Sequence, residues 1–154
     1  MPGKFGGKTM KEGRDAVIEA LNLARLGKIE RACSILQQMR NRPDLEADAY
    51  YGLGLLELCR NKINDAEAYF SKATALDPSY ADAYYQLAKI ADSRGDSVTA
   101  TLYLKSALAE NPGHVMAAEA LLEHGVALDA KAESALRHRR LANSEKRRWA
   151  LKAV

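Results

Sequence analysis

The chain has 154 residues, with 23 Lys and Arg against 20 Asp and Glu, a net charge of +3, and 47% hydrophobic and 28% charged residues. That is one domain's worth of chain with enough apolar residues for a packed core, which excludes a disordered polyelectrolyte. Its two cysteines, Cys33 and Cys59, exclude a multi-disulfide framework and a cysteine-built zinc cluster, and point to a reducing compartment.

From the N-terminus, Met1 to Glu12 carries Lys and Gly without the apolar stretch of a secretory signal, and residues 1–12 are expected to be flexible. Apolar runs such as Tyr50 to Leu56 fall far short of the roughly 20 residues that cross a bilayer, so a cytoplasmic location is expected. Charge is unevenly spread. Residues 14–136 hold 13 basic and 18 acidic side chains, whereas the last eighteen hold seven basic and one acidic.

Between Gly13 and Glu46, Ala16, Ala20, Leu23 and Ala24 recur at helical spacing, Gly27 suits an interhelix turn, and Ala32 and Leu36 mark a second helix. Two matching blocks of equal length follow, Ala47 to Tyr80 and Ala81 to His114, both opening with Ala-Asp-Ala-Tyr-Tyr. Tyr50, Leu53, Ala66, Ala73 and Pro78 recur as Tyr84, Leu87, Ala100, Ala107 and Pro112. Each block reads as two helices. Small residues, Gly54 with Ala66 and Ala88 with Ala100, let the backbones approach, and Phe70 or Leu104 fills the remaining space. Asn61 and Gly95 stand where the turn needs a left-handed residue, and Pro78 and Pro112 end the second helices. Ser79 with Asp82 looks like a capping pair for the next helix. Further on, Ala118, Leu121 and Leu122 begin another helix. Asp129 is expected to cap a last one, whose Ala132, Ala135 and Leu136 would cover the end of the stack.

These blocks resemble the tetratricopeptide repeat family: an aromatic, then Leu-Gly or Leu-Ala, then Ala, a large apolar residue, Ala and Pro. Those offsets hold Tyr50, Leu53, Gly54, Ala66, Phe70, Ala73 and Pro78, then Tyr84, Leu87, Ala88, Ala100, Leu104, Ala107 and Pro112. The first unit departs from the pattern, with Glu19 where Leu is usual and Pro43 one residue early. The resemblance implies an all-α, right-handed solenoid of antiparallel helix pairs, three such units plus C-terminal capping helices. The expected organisation is a repeat domain over 13–127 (units 13–46, 47–80 and 81–114, and a partial one over 115–127), then a basic capping helix or tail over 128–154.

In this family the first helices of successive units line a groove that takes an extended or helical peptide. Carried over, the groove positions are Arg14, Val17, Leu21, Ala24 and Arg25, then Asp48, Tyr51, Leu55, Leu58 and Cys59, then Tyr85, Lys89, Asp92 and Ser93. Apolar residues dominate one end and charges the other, which suits a partner with a few apolar anchors. The alternative is that Leu55 and Leu58 belong to the core or lie under the N-terminal segment. The positions at which some members grip an acidic chaperone tail hold Val17, Leu21, Gly52, Asp82 and Gln86, so that clamp is not expected. The implied role is a non-enzymatic adaptor or scaffold for another protein, chaperone-like in the manner of secretion or assembly factors, and an apolar groove also permits a homo-oligomer.

The tail carries Arg137, His138, Arg139 and Arg140, then Lys146, Arg147 and Arg148. Several readings stay open: a solvated terminal helix, self-association through the acidic body, and polyanion binding to nucleic acid or an anionic membrane surface. Trp149 is expected to pack on a neighbouring helix. No cofactor, metal or small-molecule substrate is implied, and neither HExxH, P-loop, GxSxG nor GxGxxG occurs. His114 is expected to be solvated in a loop, and Cys59 to be a buried, inert thiol.

Overall fold

The computed structural model describes residues 6–152, and side chains over residues 11–147. All regular structure among them is α-helical: α1 (Gly6–Arg25), α2 (Ile29–Met39), α3 (Glu46–Cys59), α4 (Ile63–Leu76), α5 (Ala81–Ser93), α6 (Ser97–Glu110), α7 (Val115–Glu123) and α8 (Ala130–Lys152). Helix α1 begins at Gly6, inside the segment expected to be flexible; Lys8, Met10, Lys11 and Glu12 are good helix formers, and Gly13 is buried against the Asp48 carboxylate. Residues 1–5 and the side chains of Arg148 and Trp149 lie outside the described residues.

The turns explain the period. Gly27, Asn61 and Gly95 occupy the same place in successive repeats and share the left-handed conformation, with φ of 75°, 59° and 78°. Each directs the next amide back into the last turn of the preceding helix: Lys28 to Leu23, Lys62 to Glu57 and Asp96 to Ala91, at 2.9 to 3.0 Å. Carbonyls that the helix end would orphan are thereby satisfied, and the chain reverses tightly. The second helices stop as expected, at Leu76 and Glu110 just before Pro78 and Pro112. The capping pair at Ser79 takes another form: its amide and hydroxyl both donate to Asp77 Oδ1, at 3.0 and 2.6 Å. Asn111 does the same for the Gly113 amide. Capping at Asp129 is as expected, its Oδ1 accepting from the Ala132 amide at 2.8 Å.

The chain divides into two compact units, residues 1–83 and 84–154. In the first, α1, α2, α3 and α4 share a core in which Leu36, Leu56 and Phe70 are fully buried. Helix α3 is its centre. From Gly52 to Glu57 every residue except Leu55 is buried, which an amphipathic surface helix would not show. Gly52 faces Leu36 and Val17, and Gly54 faces the Phe70 ring, where an added Cβ would lie 2.5 Å from ring carbon. In the second unit Ala88, Ala100, Leu104, Ala107, Ala118 and Leu121 are buried, and α8 covers α7 with Ala132 and Leu136. Ala135 is half-buried beside them.

Gly54→Ala is expected to destabilise the fold by about 1–3 kcal/mol, because the fully buried Phe70 has no room to retreat. A lower thermal midpoint with an unchanged helical circular dichroism spectrum is the expected outcome; a midpoint equal to the parent's would show that the two helices can separate freely.

Candidate functional site

Helix α3 presents a face at helical spacing made of Asp48, Tyr51, Leu55 and Leu58. All four are half-buried, while most of the residues between them turn into the core. Leu21 on α1 is half-buried too, and Arg14 and Arg25 on the same helix are exposed. Val17 departs from the expected groove floor: at 4% exposure it belongs to the core, packed towards Gly52. Cys59 departs in the other direction. The last turn of α3 runs out of covering residues, so its free thiol is exposed rather than buried.

Tyr51 is held by rings. Its centroid lies 5.0 Å from that of Tyr80 and 5.7 Å from that of Phe70. The Tyr80 hydroxyl donates to Asp48 Oδ1 at 2.7 Å, so the residue preceding α5 locks both the aromatic and the carboxylate of the α3 face. Burial raises the Asp48 carboxyl above the usual carboxylate range, with Asp77 adding to the effect; the Tyr80 hydrogen bond and Arg14 oppose it. Tyr80 itself is pushed far up, first by burial and then by the Asp48 charge, so the phenol stays a donor.

The second unit repeats this arrangement, one period further along the chain, with altered chemistry. Tyr85 takes the place of Tyr51, and His114 that of Tyr80, with centroids 5.1 Å apart. His114 is buried, at 5% exposure, instead of solvated in a loop. Its Nδ1 accepts the Ala117 amide at 3.2 Å, making it the N-cap of α7. Lys89 stands where α3 has Leu55, its Nζ 5.9 Å from the Tyr85 centroid, and Asp92 stands where α3 has Leu58. Burial raises the Tyr85 phenol, helped by the Glu123 and Glu119 charges. Asp92 Oδ2 lies 3.2 Å from His124 Nε2, whose Nδ1 meets Thr101 Oγ1 at 2.9 Å.

Sequence reading missed Tyr80, His114 and His124 as members of these faces. The signal for the first two was available in the repeat offsets, since each closes its block; His124 falls outside the repeated blocks. Arg137, Arg139, Arg140, Lys146 and Arg147 of the basic tail are exposed on α8, where Arg140 lies 3.9 Å from Glu119.

A tetratricopeptide repeat model matches residues 69–101. Over that stretch the chain is similar to a tetratricopeptide repeat. Among solved structures, one titled a crystal structure of MamA superposes with a TM-score of 0.57 and 23% identity, covering 88% of this chain and 81% of that one. A second, of the MamA protein, gives 0.54 and 22%, covering 92% and 77%. At these identities the likeness is one of fold. Comparison with curated proteins gives no match.

Three outcomes are expected from the locks. Tyr80→Phe removes the donor to a half-buried carboxylate and costs about 1–3 kcal/mol in denaturant unfolding. Because the folded-state pKa of Asp48 is raised, its ionisation costs stability, and the contribution of this residue to stability falls as pH rises through the carboxylate range and just above it. In Asp48→Asn that contribution is absent, so the variant gains stability relative to the parent as pH rises, as parallel unfolding curves from acid to neutral pH check. His114→Ala removes an N-cap and costs about 1 kcal/mol, whereas His114→Asn restores the cap without the ring contact and recovers part of the loss.

Proposed function

We propose that the chain is a non-enzymatic scaffold that binds a peptide or helix of another protein, with the outward faces of α1 and α3 as the anchoring surface. The supporting observation is that Tyr51, Leu55 and Leu58 keep an open side on a helix whose middle, Gly52 to Gly54 with Leu56 and Glu57, is buried, with Leu21 apolar on α1. Apolar area left uncovered at regular spacing is what an amphipathic segment uses when it adds to a helical surface. Asp48, Arg14 and Arg25 supply the polar rim.

In the second unit, taken by itself, Tyr85, Lys89 and Asp92 form a polar counterpart of this face, so apolar anchoring is assigned to the first unit. Holding an apolar client segment out of water before assembly, a chaperone-like role in the cytoplasm, is the form of this function that the α3 face suits.

Photo-crosslinking from position 58 identifies the client, and affinity measurements test the face. The double variant Leu55→Asp, Leu58→Asp is expected to keep the helical spectrum and to lose at least tenfold in client affinity, while Gln38→Asp on the exposed side of α2 changes nothing. Undiminished affinity in the double variant overturns the reading.

A further inference from the structure

Helix α8 changes character at Arg137. Up to Leu136 it is anchored, with Ala132 and Leu136 at 1% and 5% exposure. From Arg137 to Arg147 every side chain is exposed. The reason is length: at 1.5 Å per residue, nine-residue α7 supports roughly 13 Å, and 23-residue α8 is about 35 Å long, so α8 outruns its neighbour. Among the described residues, Arg140 has Glu119 at 3.9 Å, and Arg137, Arg139, Lys146 and Arg147 have no carboxylate partner.

Helical register sorts these cations. At about 100° per residue, Arg137, Arg140 and Arg147 fall on one flank, and Arg139 and Lys146 on a second flank roughly a third of a turn away. Asn143 lies midway between the flanks. Glu145, the one acidic residue of the stretch, lies on the far side. A flat anionic membrane engages a single stripe and rewards an apolar wedge, whereas the sector between the flanks holds Asn143 and Leu141 points elsewhere. A groove with a wall of phosphates on each side matches two basic flanks and a polar middle. The B-form major groove, about 12 Å wide, admits an α-helix, and the deep, narrow one of A-form RNA does not.

We propose that residues 137–147 of α8 form a DNA-binding helix that enters the major groove of a duplex, Arg137, Arg140 and Arg147 meeting the phosphates of one wall, Arg139 and Lys146 those of the other, and Asn143 facing the base edges. The net negative charge of residues 14–136 is repelled by the duplex, so contact is confined to the helix. Five phosphate contacts give a log–log salt slope of about −3 to −5, and sequence-independent affinity in the micromolar range at low salt.

The test is fluorescence anisotropy of the full chain on a labelled 20-base-pair DNA duplex as salt rises from 50 to 200 mM. The expected result is a steep salt slope, at least tenfold weaker binding by Arg139→Glu, Lys146→Glu with an unchanged helical spectrum, and tighter binding by Glu145→Lys. The Leu55→Asp, Leu58→Asp variant keeps full DNA affinity, which separates this site from the client face. Equal binding by the charge-reversed chain overturns the proposal. So does tighter binding to duplex RNA or to phosphatidylglycerol vesicles than to DNA. Self-association that the same charge reversals abolish, without DNA binding, overturns it in favour of a protein partner.

Discussion

At Gly52 and Gly54 one helix gives up its side chains on two nearly opposite sides, and the first unit is organised around that sacrifice. Leu36 and Val17 occupy the space on one side and the Phe70 ring on the other. Glycine in a helix interior carries a conformational cost of roughly 0.5–1 kcal/mol per residue. Here that cost is offset by letting α3 sit deep enough to be covered by α1, α2 and α4 together, with Leu56 and Phe70 fully buried. Any side chain at either position would push α3 outward, and its remaining open face would no longer be the narrow line of Asp48, Tyr51, Leu55 and Leu58.

The repeat is retained within the chain at the level of contacts as well as residues. Tyr50 with Tyr69 at 6.1 Å returns as Tyr84 with Tyr103 at 6.4 Å, and Tyr51 with Tyr80 returns as Tyr85 with His114. What diverges is the outward chemistry: Leu55 and Leu58 against Lys89 and Asp92. A scaffold of this kind separates the two problems, because the rings and small residues set shape while the face between them is free to change.

Much of this was readable from residue order, for reasons that are local. The left-handed turns at Gly27, Asn61 and Gly95 and the helix stops before Pro78 and Pro112 depend on backbone preferences of single residues. Asp129 as a cap belongs to the same class. What escaped depends on residues far apart. His114 looks like a loop histidine after Pro112 until Tyr85, two helices back at the start of α5, is found against its ring. Val17 has the same helical phase as a groove residue, but α2 and α3 close over it; Cys59 has a core-like neighbourhood in sequence, but the helix ends there. Ser79 turns towards Asp77 rather than Asp82 because an acceptor two positions back is nearer than one on the next helix. Helix α1 starts early for a tertiary reason as well, the burial of Gly13 against Asp48.

The spacing of the paired rings carries a consequence for how such a chain changes length. Tyr51 finds its partner at Tyr80, in the segment that introduces the following helix pair, and Tyr85 does the same at His114. Duplication or loss of one whole period, wherever its breakpoints fall between those partners, brings an equivalent residue to the same offset; loss of Arg60 to Ser93, one such period, would leave Tyr51 facing His114. Any other step strands one ring of a pair. Growth and shrinkage of the array are therefore quantised, and a lineage can lengthen this protein by whole helix pairs while its interfaces are inherited ready-made.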